Sequence, residues 1–318
     1  ATAAARLACT AVAGSQGVEA ADPWRTHTAY ARIGLVGNPS DGFFGKTIAV
    51  AVSNWKASVR IRPSPRIVLE PHPVCDPHAF DSMEELHRAY SKQGYQGGII
   101  LLEATCKKFC EYCKKHQIDL SGKGGFTLQY DTNIPRQVGL AGSSALITAT
   151  LNCLLDFYGL GEDAMPMPVR PSFVLSVEVE ELSIQAGLQD RVIQTYQGCM
   201  FMDFAKEMLE ARGHGAYERI PTSTLPPLWL AYVADPSNSG KIHSDVKARW
   251  QGGDAEVVAA MKTFARFTDE AHTSLLARDW ASLGKLMESN FDLRRQIYGD
   301  ACLGAANLAM VALAKELG

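Results

Sequence analysis

Short β-patterned runs of apolar residues dominate the first third of the chain. They lie at residues 33–36, 48–52, 57–61 and 66–69, with prolines between and after them. Alternation with a period of two is typical of strands that bury one face, and proline is rare inside a β-ladder. We therefore expect an antiparallel sheet of short strands here. Further strands are predicted at 126–130, and at 225–233 in the second half of the chain.

Elsewhere the apolar residues recur every three or four positions, as on the buried face of a helix. Residues 145–157 carry such a stripe, and Gly159 follows where a helix would end. The sequence also predicts helices at 81–90, 173–182, 191–197, 254–287 and 301–317.

The helical stripe at 102–113 admits a second interpretation. Cys106, Cys110 and Cys113 have the spacing of radical-SAM iron–sulfur sites. The same cysteines lie on one apolar helix face with positions 102 and 109, however, and charged residues occupy the other face. Because cysteine often packs as a small hydrophobe, we predict a core helix.

Composition narrows the class of protein. The 318 residues are 47% hydrophobic and 20% charged, which is typical of a soluble globular protein with one large or two medium domains. The formal net charge of −3 gives no basic excess to favour nucleic acid or an anionic membrane as a partner. No apolar run reaches the roughly 20 residues needed to cross a bilayer. Eight irregularly spaced cysteines favour a reducing compartment, and we expect a cytoplasmic protein.

Residues 1–27 show no sustained pattern. They are rich in alanine at first and poor in acidic residues. We expect a disordered leader, with order beginning near Thr28; a transit-peptide remnant is the alternative.

A Gly/Ser-rich loop precedes the helix at 145–157. Gly139 and Gly142 allow tight or left-handed turns, and Ser143 and Ser144 are suitable N-caps. Such a loop offers unpaired N–H groups and a positive helix end to an anion, while serine hydroxyls can contact phosphate or a metal ion. An ordinary capped helix fits these residues equally well.

Carboxylates stand at both ends of the segment 177–191. Mg²⁺ needs only one or two protein carboxylates besides phosphate oxygens, and a carboxylate can orient or deprotonate an attacking hydroxyl. For at least two of Glu178, Glu180 and Glu181 we favour a solvated helix face. Asp190 also fits an N-cap of the helix at 191–197.

Three segments together resemble the GHMP kinases. Pro-x-x-x-Gly-Leu-x-Gly-Ser-Ser-Ala at 135–145 is similar to the second signature of that family. Arg-x-x-Leu-x-Gly at 32–37 is similar to the first signature, and Gly-Leu-Gln-Asp at 187–190 to the catalytic-aspartate segment. The extra residue after Gly-Leu, and Asn-Pro-Ser-Asp at 38–41, look most like plant-type glucuronokinases.

The resemblance implies roles for individual residues. Asp190 would be the base or orienting group for the acceptor hydroxyl, and Arg32 would offset charge on the transferred phosphate. ATP phosphates would lie on a loop made of Pro135, Gly139, Leu140, Gly142, Ser143, Ser144 and Ala145. Mg²⁺ is expected on Ser144 and Glu181. The sugar is expected to meet Asp41, Asn38, Lys46 and Arg294, of which the arginine could pair with a sugar carboxylate.

The resemblance also implies a fold and a reaction. The fold is α+β, with a ribosomal-protein-S5-like ATP-binding domain at 28–215 and a ferredoxin-like domain at 216–318. We expect the second domain to be incomplete, because the family's third Gly-rich loop would start at about residue 318. The implied reaction transfers the γ-phosphate of ATP to the anomeric hydroxyl of D-glucuronate, a sugar acid. A kinase for L-fucose or a heptose phosphate, and a catalytically silent sugar or nucleotide sensor, are the alternatives.

Overall fold

The computed structural model describes residues 23–93, 97–233 and 240–317. Its strands are β1 (Arg25–Val36), β2 (Lys46–Ser64), β3 (Val68–Leu69), β4 (Gly125–Thr132), β5 (Cys199–Asp203) and β6 (Ala216–Ile220). Its helices are α1 (Met83–Gln93), α2 (Ile99–Lys115), α3 (Gly142–Tyr158), α4 (Arg170–Ser176), α5 (Gln189–Tyr196), α6 (Lys206–Arg212), α7 (Gly240–Gln251), α8 (Ala255–Ala277), α9 (Trp280–Tyr298), α10 (Asp300–Leu303) and α11 (Ala305–Leu317). A π-helical turn, Val177–Glu181, continues α4.

One long strand organises the sheet. β2 pairs antiparallel with β1, with β4 and with β5, and the strand order is β3-β4-β2-β5-β6. The expectation of separate strands at 48–52 and 57–61 is therefore wrong. The polar residues between these runs stay in β2 because β1 accompanies the strand through a register shift between Tyr30 and Ala31.

Helix α3 is the centre of the main core. Its buried residues include Leu151 and Leu154, and the helix packs on β1, β2 and α2. The prediction of a core helix at 102–113 is confirmed, since α2 buries Leu102, Phe109 and Cys113 in the same cluster. In the part of the chain that the structure describes, no group of three or more His, Cys, Asp or Glu side chains could hold a metal ion.

The described residues 240–317 form the helices α7 to α11. α8 packs on β2, α8 and α9 pack together, and the helical pattern predicted at 254–287 is confirmed. The single helix predicted at 301–317 is instead two helices, α10 and α11, which are separated at Gly304. The strand predicted at 225–233 is wrong: none of the six described strands pairs with this segment, and Trp229 within it is 97% exposed. A local apolar pattern gives no strand where no neighbouring strand supplies hydrogen bonds.

The first domain was predicted to span residues 28–215. Residues 1–22 of the expected leader lie outside the described residues, and residues 25–27, which were also assigned to the leader, belong to β1. The boundary placed after residue 215 falls in the connection between β5 and β6, which pair in the same sheet. The division into two domains stays a prediction. Among the described helices, none combines the length and the apolar character needed to cross a membrane.

Candidate active site

A cleft of about 960 Å³ contains most of the side chains singled out from the sequence. Its walls come from β1, the loop 133–141, the first turn of α3, the segment 184–191 and α9. Such a volume is suited to a small ligand. The lining residues that the sequence predicted are Arg32, Asn38, Asp41, Pro135, Gly139, Leu140, Gly142, Ser143, Asp190 and Arg294.

Asp190 and Arg32 meet in the cleft. Arg32 Nε donates a hydrogen bond to Oδ1 of Asp190, and Arg32 Nη1 donates to the carbonyl of Gly139 at 2.8 Å. On its other side, Oδ2 of Asp190 is 3.1 Å from Nη1 of Arg191. Burial alone raises the pKa of a carboxyl group, but the two arginines outweigh it and hold the pKa of Asp190 below its ordinary value. Asp190 is therefore an ionised acceptor, and the N-cap interpretation is wrong, because α5 is capped at Leu188.

A buried ion pair lies directly behind this contact. Glu178 is fully buried and accepts hydrogen bonds from Nε and Nη2 of Arg191, the first at 2.6 Å. Its other oxygen, Oε1, accepts a 2.7 Å hydrogen bond from the hydroxyl of Ser143. The π-helical turn shifts the phase of the helix, so that position 178 faces inward while positions 179 and 180 face solvent.

Helix α3 begins differently from the sequence prediction. Its N-cap is Ala141, in the left-handed conformation, and no side chain caps the helix. Ser143 and Ser144 thus belong to the first turn and are not N-caps. As a result Ser143 faces Glu178 and the cleft, whereas Ser144 is buried and its hydroxyl donates to the carbonyl of Ala141 at 3.3 Å.

Asp41 lines the cleft together with the carboxylates of Asp190 and Glu178. Its Oδ2 accepts a hydrogen bond from the backbone N–H of Gln189 at 3.2 Å. A Cβ on Gly187 would lie 2.1 Å from the same oxygen, so only glycine permits this approach. Burial and the charge of Asp190 together raise the pKa of Asp41 to about 6.

Helix α9 closes one wall of the cleft. Asn290 accepts a hydrogen bond from the N–H of Gly37 at 2.8 Å, and Arg294, one turn later, donates through Nη1 to the side-chain oxygen of Asn38. The Arg294 guanidinium also lies 5.4 Å from the centre of the Tyr298 ring. Among the described residues, no carboxylate forms an ion pair with Arg294. Burial accordingly lowers the pKa of this guanidinium.

Four predicted residues lie outside the cleft. The amine of Lys46 contacts Asp269 at 2.9 Å and Asp203 at 3.6 Å, so its charge is already paired. Glu181 accepts a 2.5 Å hydrogen bond from Lys107 on the outer surface. Ser144 and Ala145 are buried in the first turn of α3 and support the loop from beneath.

The lining residues that the sequence reasoning did not assign to the site include Arg191, Gln189 and Asn290. Gln189 and Arg191 flank Asp190, so their proximity to the site could have been read from the sequence. Asn290 lies four residues before Arg294, the spacing of neighbours on one helix face, and that spacing was the available signal.

Comparisons with known proteins identify the family of this chain. A family model of the GHMP kinase N-terminal domain matches residues 101–198. Glucuronokinase 1 of Arabidopsis thaliana is 49% identical over 292 residues, which cover 92% of this chain and 80% of that protein. Probable glucuronokinase 2 of the same plant is 47% identical over 293 residues, covering 92% and 79%. The chain belongs to the GHMP kinase family.

The fold of this GHMP kinase has solved counterparts. The crystal structure of Lactococcus lactis galactokinase complexed with galactose matches it with a TM-score of 0.61 at 16% identity, over 87% of this chain and 76% of that one. At that identity the likeness concerns the fold alone. Family membership implies that the GHMP kinase uses ATP as its phosphoryl donor.

Proposed function

We propose that this kinase transfers the γ-phosphate of ATP to the anomeric hydroxyl of D-glucuronate, giving glucuronate 1-phosphate and ADP. The two Arabidopsis relatives, which share 49% and 47% of their aligned residues with this chain, are named as a glucuronokinase and a probable glucuronokinase. Arg294 is the structural observation that carries the choice of acceptor.

The surroundings of Arg294 favour an anionic ligand. Among the described residues it hydrogen-bonds the amide oxygen of Asn38 and contacts the ring of Tyr298, both of which are neutral, and it forms no ion pair. The charges of Arg32 and Asp41, which have opposite signs, also act on it. A cation that is partly withdrawn from water without a counter-charge is unfavourable. A sugar carboxylate would supply that charge and could accept two parallel hydrogen bonds from the guanidinium. A neutral hexose has no group that does the same.

The proposed chemistry uses the Arg32–Asp190 contact. The anomeric oxygen forms a bond to the γ-phosphorus, and the bond from that phosphorus to the β,γ-bridging oxygen breaks, with its electron pair leaving on ADP. Asp190 orients the hydroxyl through a hydrogen bond and takes its proton as the new bond forms. Arg32 touches both Asp190 and Gly139, so its charge is available to the phosphoryl group between acceptor and loop.

The loop before α3 is the proposed phosphate site. Gly139, Leu140, Gly142 and Ser143 line the cleft there, at the positive end of a 17-residue helix. Mg²⁺, when bound with ATP, neutralises charge on the β- and γ-phosphates. The hydroxyl of Ser143 and the carboxylate of Glu178 are the oxygen donors that fit this ion, and they replace Ser144 and Glu181 in the proposal.

We also propose that the kinase works in the cytoplasm. All seven cysteines that the structure describes are free thiols, and four of them are buried. Unpaired thiols persist in a reducing compartment, which supports this location.

The test is ADP release from Mg-ATP by the purified chain with different acceptors. D-glucuronate is compared with D-glucose, which carries CH₂OH in place of the carboxylate, and with L-fucose and a heptose phosphate. We expect release that depends on glucuronate, and a sugar 1-phosphate in the ³¹P spectrum of the product. Faster turnover of one of the other acceptors would overturn the choice of sugar. ATP binding without ADP release for any acceptor would instead favour a sensor.

A further inference from the structure

Gln194 is a buried amide that the proposed chemistry does not use. It lies on α5, where this helix packs against α3, and it is 2% exposed. Its Nε2 donates a 2.7 Å hydrogen bond to the carbonyl of Ala141. Its Oε1 has no hydrogen-bond partner among the described residues. A half-satisfied buried amide contributes less to stability than an apolar side chain of the same size would, so stability of the fold does not explain it.

Gln194 bonds to Ala141, the residue at which the proposed phosphate loop turns into α3. Ala141 has φ 61° and ψ 47°, a left-handed conformation that is disfavoured for a residue with a Cβ atom. This turn fixes the direction of the following N–H groups, those of Gly142 and Ser143. The carbonyl of Ala141 also accepts from the N–H of Ala145 at 3.2 Å and from the hydroxyl of Ser144 at 3.3 Å, but both donors belong to the first turn of α3 itself.

The neighbouring carbonyls of the loop are held as well. The carbonyl of Gly139 accepts from the Arg32 side chain at 2.8 Å, and that of Leu140 accepts from the Arg32 backbone N–H at 3.3 Å. Three consecutive carbonyls are thus bonded to the two elements that carry Arg32 and Asp190. On α5, Asp190 and Gln194 are one turn apart, about 6 Å along the helix axis.

We propose that Gln194 is a positioning residue that fixes the phosphate loop relative to Asp190. The inference rests on the proposed function, since it takes the loop to hold the phosphates of ATP. The bond to Ala141 keeps the loop in its left-handed turn. Because Gln194 and Asp190 lie on the same rigid helix, α5, this bond also fixes the distance between the loop and the Asp190 carboxylate. Loss of the bond lets the loop leave this geometry, which weakens nucleotide binding and misaligns the transfer.

The first test replaces Gln194 by leucine, which removes the donor and keeps the volume. We expect the Kd for the non-hydrolysable analogue AMPPNP to rise about tenfold and kcat to fall, with KM for glucuronate within twofold. Thr195→Val is the matched control: its hydroxyl bonds the carbonyl of Arg191 at 2.7 Å within α5, and the variant should leave the analogue Kd unchanged. Should the leucine variant fail to fold, Gln194→Glu keeps the shape but offers no N–H.

The second test asks whether the turn at Ala141 is the cause. Ala141→Gly removes the penalty of the left-handed conformation, so adding it to Gln194→Leu should recover at least threefold in analogue affinity. An unchanged analogue Kd with a lower Tm would overturn the proposal and leave Gln194 a purely structural residue. So would a rise in Kd that glycine at 141 does not reverse. Because AMPPNP binding needs no acceptor, these results stand apart from the identity of the sugar.

Discussion

Ser143 Oγ and Glu178 Oε1 are joined by a 2.7 Å hydrogen bond that links the first turn of α3 to the π-helical turn after α4. The other oxygen of the same carboxylate holds Arg191, which in turn touches Asp190. Phosphate loop, metal-ligand candidates and acceptor carboxylate are therefore one hydrogen-bonded chain.

Replacing Glu178 should affect both nucleotide use and stability. Glu178→Gln removes the proposed Mg²⁺ ligand, and we expect the Mg²⁺ concentration for half-maximal activity to rise at least tenfold. The free energy of unfolding should fall by about 3–5 kcal/mol, because the buried Arg191 loses the carboxylate that accepts from its Nε and Nη2 and keeps only Asp190 as a carboxylate partner among the described residues. Titration of activity with Mg²⁺ and chemical unfolding measure the two effects.

Glu181→Gln is the control for that variant. Glu181 pairs with Lys107 at the surface, where an ion pair contributes little. Both the Mg²⁺ requirement and the stability should stay close to those of the parent chain. A larger effect at position 181 than at 178 would restore the assignment made from the sequence.

Removing the Asp190 carboxylate should separate catalysis from binding. Asp190→Ala is expected to reduce kcat by about 10²–10⁴-fold, because no other carboxylate is bonded to Arg32 in the described structure. The affinity for AMPPNP should stay within about threefold, since Asp190 is not part of the loop. Isothermal titration beside single-turnover kinetics tests this. Parallel loss of nucleotide affinity would mean that Asp190 is a structural residue.

Arg294 should determine the preference for a charged acceptor. We expect Arg294→Gln to raise KM for glucuronate by about 30-fold or more while leaving KM for ATP within twofold. The adjacent Arg295 offers a matched control, because it is exposed and pairs with Asp300 at 2.6 Å. Arg295→Gln should change neither constant. Equal effects of the two variants would refute a carboxylate site at Arg294.

Protonation of Asp41 should lower kcat/KM for the acceptor at acidic pH. With a pKa of about 6, its carboxylate is ionised above that pH and can accept hydrogen bonds from two sugar hydroxyls. We expect kcat/KM for glucuronate to fall as the pH decreases through about 6. In Asp41→Asn this inflection should be absent, and kcat/KM should be low throughout.

The pH dependence that Asp41 gives to stability should be opposite to the one that it gives to activity. Its pKa is higher in the folded chain than the ordinary value of 3.8, so the native state binds the proton more tightly than the unfolded state. The contribution of Asp41 to the free energy of unfolding therefore rises as the pH falls from about 7 to about 4. Comparing the parent chain with Asp41→Asn across this range isolates that contribution.

The local sequence pattern was sufficient to predict those elements that depend mainly on neighbouring residues. The stripe at 145–157 predicted α3, and Gly159 ends it with the expected left-handed conformation. The three motif segments placed Arg32, Asp190 and the loop together although they are far apart in sequence, because the resemblance carries information about contacts that residue types alone do not.

The predictions that failed concern residues whose positions depend on three-dimensional geometry, which a local sequence pattern does not contain. Five residues in a π-helical turn rotate Glu178 inward and Glu181 outward, against an α-helical count. Lys46 was taken for a sugar ligand, but Asp269 on α8 reaches it from a distant part of the chain. The extra residue Ala141 absorbs the left-handed turn, which moves Ser143 into the position that Ser144 was expected to fill.

Asn290 and Arg294 enter the cleft from α9, whereas every group assigned to phosphoryl transfer precedes residue 192. The residues proposed to recognise the charge of the acceptor thus lie in a different part of the sequence from the residues proposed to activate its hydroxyl. Substitutions at positions 290 and 294 of α9 should therefore change the preference for the acceptor while Asp190, Arg32 and the phosphate loop keep their places.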